Sequence, residues 1–421
     1  MKSPSRDLGV ALLATGVARA VVLYLGIFVW WDSPFVSHMV QDLRTWHDFF
    51  VLARNGFVPY VSFWKEYPVG AGLVYWILAP LVDPENLRQT VLVHGIAMGA
   101  VDLGNTAIIY SLLRGKAERR ALPFTLLFSL NLTALSLGPI RFESVVTLFV
   151  LLGYRAAEKQ HPLRAVALWA AGFWVKWVPA FLIAAQEWRL FRVERRHRQW
   201  LASFGVFAAV ALAINGPFAL AALARGSMEP FLAPWIYHVR RPLYWDTLLG
   251  VLEMWLGPLP WERYGSVWTL GLVLLVLLVR PGLRLAYKGA LLCIAAIVFN
   301  RIYSAQFHLW FYPLLLLGAI RERGSRFAKI LALAGALDVL NFFVYPLSFA
   351  FAYGEMGGFY PYSARERGGS WTMAMSAAIV LRTAVLVGVG AMLLKGPEEG
   401  PGSDVAPPSP NRARASSRRA R

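Results

Sequence analysis

The sequence predicts an all-α, polytopic membrane protein with about twelve transmembrane helices and further juxtamembrane helices on the outer side. Three observations predict it. First, 57% of the 421 residues are hydrophobic and 16% are charged, with a mean hydropathy of +0.50. A soluble domain carries about 25% charged residues, so a soluble globular chain is excluded, and a disordered one with it. Second, apolar runs of helical rather than alternating pattern succeed one another to residue 394 and leave no room for a soluble domain. Third, the 42 Lys and Arg outnumber the 24 Asp and Glu by 18, and the surplus lies in short segments between those runs. Cations dispersed in this way do not form a nucleic-acid surface. They orient helices.

The apolar runs are 8–31, 68–82, 87–113, 121–137, 143–157, 163–187, 200–221, 264–280, 285–299, 304–320, 327–346 and 371–394. The first is long enough to cross a hydrocarbon core of ~30 Å. The basic segments are 114–120 (RGKAERR), 155–164, 189–198 (RLFRVERRHR), 280–288, 321–329 and the tail. With these cytoplasmic, the connections near 32–67, 138–142, 222–263, 300–303 and 354–370 are external. An odd number of crossings must then separate residue 67 from RGKAERR. Of the two available runs, 68–82 is the shorter and carries Pro68 and Pro80, so it is expected to lie at or re-enter the outer surface. Conversely, 163–187 joins two basic segments and must cross an even number of times. It is expected to be two short helices meeting outside at Lys176-Trp177-Val178-Pro179, where proline breaks the helix. Residues 1–395 thus form one multi-spanning domain with a first outer loop at 32–67 and a long outer loop at 222–263. Residues 396–421, rich in Pro, Ser and Arg, read as a disordered basic cytoplasmic tail. Both termini are expected in the cytoplasm of a multi-pass plasma-membrane protein. The single cysteine, Cys293, lies in an apolar run and can form no disulfide within the chain.

Ionisable groups near membrane depth are functional candidates, and here they collect on one side. Residues 36–55 read as an amphipathic helix at the outer interface, with Asp42 near its start and Trp46, Phe49, Phe50 and Leu52 offered to lipid or core. The loop closes on Lys65-Glu66-Tyr67-Pro68. Arg141 and Glu143 flank Phe142 in the next outer connection, and Lys176 stands between Trp174 and Trp177 at the hairpin tip. The long outer loop holds His238, Arg240 and Arg241 among aromatic residues, which suits a phosphate carrying a lipid. Arg301, Gln306, His308 and Trp310 open the run 304–320. Taken singly, each has an ordinary reading as a cap, a snorkelling anchor or a packing residue. Jointly they fall on one face under a topology derived from Lys and Arg alone. His94, Asp102, Asn105, Asp338 and Asn341 lie within the apolar runs at other depths and are expected to make interhelical contacts.

These residues resemble the GT-C superfamily of integral membrane glycosyltransferases, and most closely glycosyltransferase family 87, the polyprenyl-phosphate-mannose-dependent mannosyltransferase type. The resemblance rests on Asp42-Leu43, Gly56, Pro59-Tyr60, Phe63 and Glu66-Tyr67-Pro68 in the first loop. It continues through Arg141-Phe142-Glu143 and through Lys176 with Pro179. His238, Arg241-Pro242 and Thr247 follow, and then Ser304, Gln306, Phe307, Trp310 and Pro313. The matches keep the family's order up to about residue 315. Val69, Glu143, Ala305 and Phe307 depart from the family's proline, aspartate, proline and tyrosine. The resemblance implies transfer of a hexose, mannose above all, from a polyprenyl-phosphate donor to a lipid or glycan acceptor at the outer face. Asp42 would be the general base. Lys176, Arg241, Arg240 and Arg301 would hold the donor phosphate. Glu66, Tyr67, Arg141, Glu143, His238, Gln306, His308 and Trp310 would form the sugar and acceptor pocket. A single displacement implies inversion, and no metal or cofactor is called for where cations hold the phosphate. The expected partners are the donor, a glycolipid or glycan acceptor and membrane lipids, with no nucleic acid. The rival expectation is a transporter or flippase, which calls for inverted repeats and polar groups near the midplane. No clean internal repeat is found in the sequence.

Overall fold

The computed structural model describes residues 4–398 apart from 242, 245, 258–259 and 348–369. Most of the expected tail and of the outer connection 354–370 lies outside the described residues. In order, the helices are α1 (Pro4–Tyr24), α2 (Pro34–Met39), α3 (Gln41–Arg54), α4 (Val69–Leu78), α5 (Leu87–Arg114) and α6 (Glu118–Ser129). Next come α7 (Leu132–Leu137), α8 (Glu143–Glu158), α9 (Pro162–Val175), α10 (Pro179–Arg192), α11 (His197–Ala224) and α12 (Glu229–Arg240). The last are α13 (Leu248–Leu256), α14 (Trp261–Leu278), α15 (Leu285–Val298), α16 (His308–Ala319), α17 (Gly324–Phe342) and α18 (Ser370–Leu394). Among the described residues there is no β-strand. Among the described residues five helices are long and apolar enough to cross a membrane, and a sixth if α6 and α7, bent by 47°, count as one. The chain is therefore an all-helical membrane protein.

The bend between α6 and α7 has a polar cause. Starting a new helix leaves backbone N–H groups without partners. The Asn131 side chain accepts from Ala134 N–H at 2.8 Å. Asp338, reaching across from α17, accepts from Leu132 N–H at 2.7 Å and Thr133 N–H at 3.1 Å. Another buried carboxylate, Asp102, is paired with Arg19 at 2.9 Å. His94 meets Tyr75 and the Pro139 carbonyl, Asn105 donates to the Ser144 carbonyl, and Asn341 donates to Thr133 and to the Ala305 carbonyl. His94, Asp102, Asn105, Asp338 and Asn341 thus make the interhelical contacts expected of them.

The run 163–187 is a hairpin. Lys176 is extended (φ −160°, ψ 140°) and Pro179 opens α10, so the helix stops and restarts. Gln186, midway along α10, donates to the carbonyl of Pro162 at the start of α9, at 3.1 Å. The two helices therefore double back along each other. α4 has 10 residues, about 15 Å at 1.5 Å per residue, half of what a crossing needs. The expected amphipathic helix 36–55 is two helices, α2 and α3, interrupted at Val40. Its aromatic face meets core: Trp46, Phe49 and Phe50 are buried, and Trp46 stacks on Tyr75 with ring centroids 3.6 Å apart.

The basic segments gather at one end of the bundle. Arg120 donates to the Glu322 carbonyl at 2.7 Å, Arg284 pairs with Glu322 at 3.6 Å, and Arg326 donates to the Lys395 carbonyl at 2.6 Å. Lys116 pairs with Glu158. Residues 154–162, 186–196 and 285 share one cleft at that end. α8, α9 and α15 each have one end here, and their other ends lead into the candidate site. α16, buried on every face, runs between the two ends at the centre of the bundle.

Candidate functional site

Five stretches of chain meet at the end of the bundle away from the basic segments and enclose a cavity of about 480 Å³. They are the first turn of α3, the residues before α4, the turn into α8, the tip between α9 and α10, and α12 with the segment that follows it. The connection from α15 to α16 closes the remaining wall.

Asp42 stands in the first turn of α3, where an acid suits the positive end of the helix dipole. Its neighbours Leu43 and Trp46 are buried, while its own side chain is 44% exposed and faces the cavity. Oδ2 is ion-paired with Arg141. Arg141 is itself buried, is held extended after a turn of 3-10 helix, and donates to Tyr345 Oη at 3.0 Å. The carboxylate is thus fixed through one oxygen.

Lys176 is buried and pairs with Glu143 at the start of α8. Four rings surround its ammonium: Phe142 at 5.1 Å, Trp310 at 5.2 Å, Tyr67 at 5.3 Å and Phe307 at 5.7 Å. The position follows from a close approach. A Cβ on Gly70 would lie 2.5 Å from the Trp174 carbonyl oxygen, so only glycine lets α4 pack on the end of α9. That contact sets Tyr67 and Pro68 beside Lys176. Tyr60 fixes the same corner by donating to the Tyr67 carbonyl at 2.9 Å.

From α12, His238 presents Nε2 to the Glu66 carbonyl and sets its ring against Trp177, centroids 4.4 Å apart. A carbonyl only accepts, so Nε2 carries the proton. Burial lowers the imidazole to a pKa of about 4; the Glu66 carbonyl opposes the shift, and Arg241 and Lys176 add to it. His238 is therefore neutral at physiological pH. Arg241 packs over Tyr244 at 5.0 Å and Tyr237 at 5.5 Å, with its Nε buried and unpartnered among the described residues.

Of the residues singled out in the sequence, Asp42, Glu66, Tyr67, Arg141, Lys176, His238, Arg241, Arg301, Gln306 and Trp310 line this one cavity. Glu143, Arg240 and His308 do not. Glu143 lies behind Lys176 as its buried counter-ion, 1% exposed. Arg240 points out of the end of α12 and is exposed. His308 is fully buried, with Nε2 3.7 Å from Asp338 Oδ1 and its ring packed on Tyr312. Arg301 reaches the cavity wall, but its guanidinium donates to the Val239 carbonyl at 3.0 Å, the Arg241 carbonyl at 3.3 Å and Ser266 Oγ at 3.0 Å. It clamps the end of α12. Sequence reasoning passed over Tyr345, Asp246 and the fully buried Arg382 of α18. A lone arginine within the apolar run 371–394 was the available signal for the last.

A second cavity, about 250 Å³, is almost wholly apolar, with Ser136 its one polar lining residue. Its lining includes Val40 and Ile140, close in sequence to Asp42 and Arg141. A larger opening of about 660 Å³ lies at the basic end beside Ser5, Arg114 and Glu118, remote from these groups. Among the described residues no three His, Cys, Asp or Glu side chains are grouped to hold a metal ion. The arrangement can place an anion against cations walled by aromatic rings, with a carboxylate in the same chamber. Comparison with known proteins finds no family model that matches the chain and no curated protein similar to it.

Proposed function

We propose that this protein is an inverting glycosyltransferase of GT-C type. It would transfer a hexose, mannose by its resemblance to family 87, from a polyprenyl-phosphate donor to a lipid or glycan acceptor at the outer face of the plasma membrane. The observation that carries the reading is the meeting of Asp42 with Lys176 and Arg241 in one aromatic-walled cavity, from segments far apart in sequence. The second, apolar cavity, whose lining includes Val40 and Ile140 near Asp42 and Arg141 in sequence, supports a substrate with a hydrocarbon tail. The topology proposed with it has twelve passes, namely α1, α5, α6 with α7, α8 to α11 and α14 to α18. Both termini are cytoplasmic, and α2, α3, α4, α12 and α13 lie at the outer surface. The gathering of basic segments at one end supports that orientation.

In this mechanism the free oxygen of Asp42 takes the proton of the acceptor hydroxyl. The hydroxyl oxygen bonds to the anomeric carbon as the bond from that carbon to the phosphate oxygen breaks, and polyprenyl phosphate leaves. Lys176 and Arg241 offset the charge gathering on the leaving phosphate. Arg141 aims the base, and neutral His238 adds a dipole rather than a charge. The test is transfer of labelled sugar from a panel of polyprenyl-phosphate sugars to membrane lipid acceptors. The reading expects lipid-linked product bearing an inverted linkage. Movement of intact donor across the bilayer without transfer would favour the flippase instead.

A further inference from the structure

Asp246 lies in the cavity wall between α12 and α13 and is buried, 6% exposed. Its Oδ1 has no hydrogen-bond partner among the described residues. A buried carboxylate oxygen left without a donor is costly and calls for an occupant. The backbone around it is held from several sides. Thr247 caps α13 by accepting from Gly250 N–H at 2.9 Å and donates to the Tyr244 carbonyl at 2.7 Å. Tyr244 N–H donates to the Arg301 carbonyl at 2.9 Å. Arg382, fully buried in α18, donates to the Asp246 carbonyl, lies 3.7 Å over the Tyr303 ring and donates to Asn341 Oδ1 at 3.4 Å. An arginine in the membrane interior is expensive. This one donates to the Asp246 backbone carbonyl, and the Oδ1 of that residue stays without a hydrogen-bond partner among the described residues, in the wall of the cavity. Burial raises the Asp246 pKa to about 6, with Arg382 opposing, so the group remains ionised at neutral pH.

The cations of the cavity match the phosphate of a lipid-linked sugar. The sugar itself offers hydroxyl donors, which want a carboxylate acceptor. We propose that Asp246 reads the transferred sugar, its carboxylate accepting hydrogen bonds from neighbouring hydroxyls, and that Arg382 is the residue that positions it. The proposal rests on the glycosyltransferase reading and goes beyond it by naming the group that recognises the sugar. Asp246 is neither base nor phosphate ligand.

The experiment is equilibrium binding of polyprenyl-phosphate mannose and of bare polyprenyl phosphate to the full-length protein in detergent. Wild type should bind the sugar-bearing lipid more tightly. Asp246→Asn should lose about ten- to a hundredfold in affinity for polyprenyl-phosphate mannose and keep its affinity for the bare lipid, which also shows that the fold survives. Arg382→Lys should show the same selective loss, whereas a merely structural arginine would lower both affinities. Equal affinities in wild type and Asp246→Asn, or an equal loss for both lipids, would overturn the assignment. Should Asp246→Asn fail to fold, Asp246→Glu is measured in its place; it should weaken the sugar-bearing lipid alone, and unchanged binding would overturn the proposal. A wild type that binds neither lipid would instead overturn the transferase reading.

Discussion

Asp42 and Arg141 form an ion pair at the mouth of the cavity, and a second donor of the same guanidinium reaches Tyr345 at 3.0 Å. Arg141 thereby ties the first turn of α3 to the segment before α8 and to the chain after α17. The pair orients the proposed base. Arg141→Met should lower turnover by about ten- to a hundredfold, as expected when a catalytic group loses its orientation. Arg141→Lys should recover only part of it, since an ammonium lacks the fork that serves two partners at once. The check is initial rates of sugar transfer in both variants. Equal rates in wild type and Arg141→Met would remove Arg141 from the mechanism.

Glu143 and Lys176 are a buried ion pair with different duties at its two ends. Removing one partner of such a pair costs about 3–5 kcal/mol, because it strands the other charge, whereas replacing both with apolar groups can be near neutral. Glu143→Gln should therefore lower the melting temperature markedly. Glu143→Leu with Lys176→Met should restore much of it without restoring transfer. Thermal unfolding alongside transfer rates checks this. Recovery of activity in the double variant would free Lys176 of any role at the phosphate.

His238 has its pKa lowered to about 4 by burial, against about 6.5 unfolded. Between those values the unfolded chain binds a proton that the folded chain does not, so stability falls as pH falls. The stabilisation is fully present above about pH 6.5 and drains away toward pH 4. His238→Gln should flatten this part of the curve, read as melting temperature against pH for the two proteins. Parallel curves would mean that His238 titrates normally in the folded state.

Gly70 admits the end of α9 to within van der Waals contact of α4. Gly70→Val should push the two apart, shift Tyr67 from Lys176 and lower both stability and donor affinity. Donor binding by a labelled lipid measures the second effect. Unchanged donor binding would show that the α4–α9 contact does not shape the cavity.

Much of this architecture is legible in the sequence because it is written in features of single segments. Apolar runs give the helices, and Lys and Arg counts bring RGKAERR and the other basic segments to one end. The Lys176–Pro179 break is set by local chain chemistry, and so is the shortness of α4. Pairings are less legible, since a partner in space leaves no mark in spacing. Glu143 and His308 were expected in the pocket. They lie buried behind it because Lys176 needs a counter-ion and because the first turn of α16 packs His308 beneath the cavity floor, against Asp338. Arg301 carried the right charge for a phosphate, but neighbouring carbonyls occupy its donors. The division of 36–55 at Val40 has no mark in the apolar pattern, and the stacking of Trp46 on Tyr75 is a contact between separate helices.

The central claim is that Asp42 is the general base of a sugar transfer. It is tested most directly by Asp42→Asn, with labelled polyprenyl-phosphate mannose supplied to wild type and variant, and donor binding measured on the same samples. Loss of general-base catalysis should lower turnover by at least about a hundredfold, with donor affinity and folded yield retained. Turnover near that of wild type in Asp42→Asn would contradict the account.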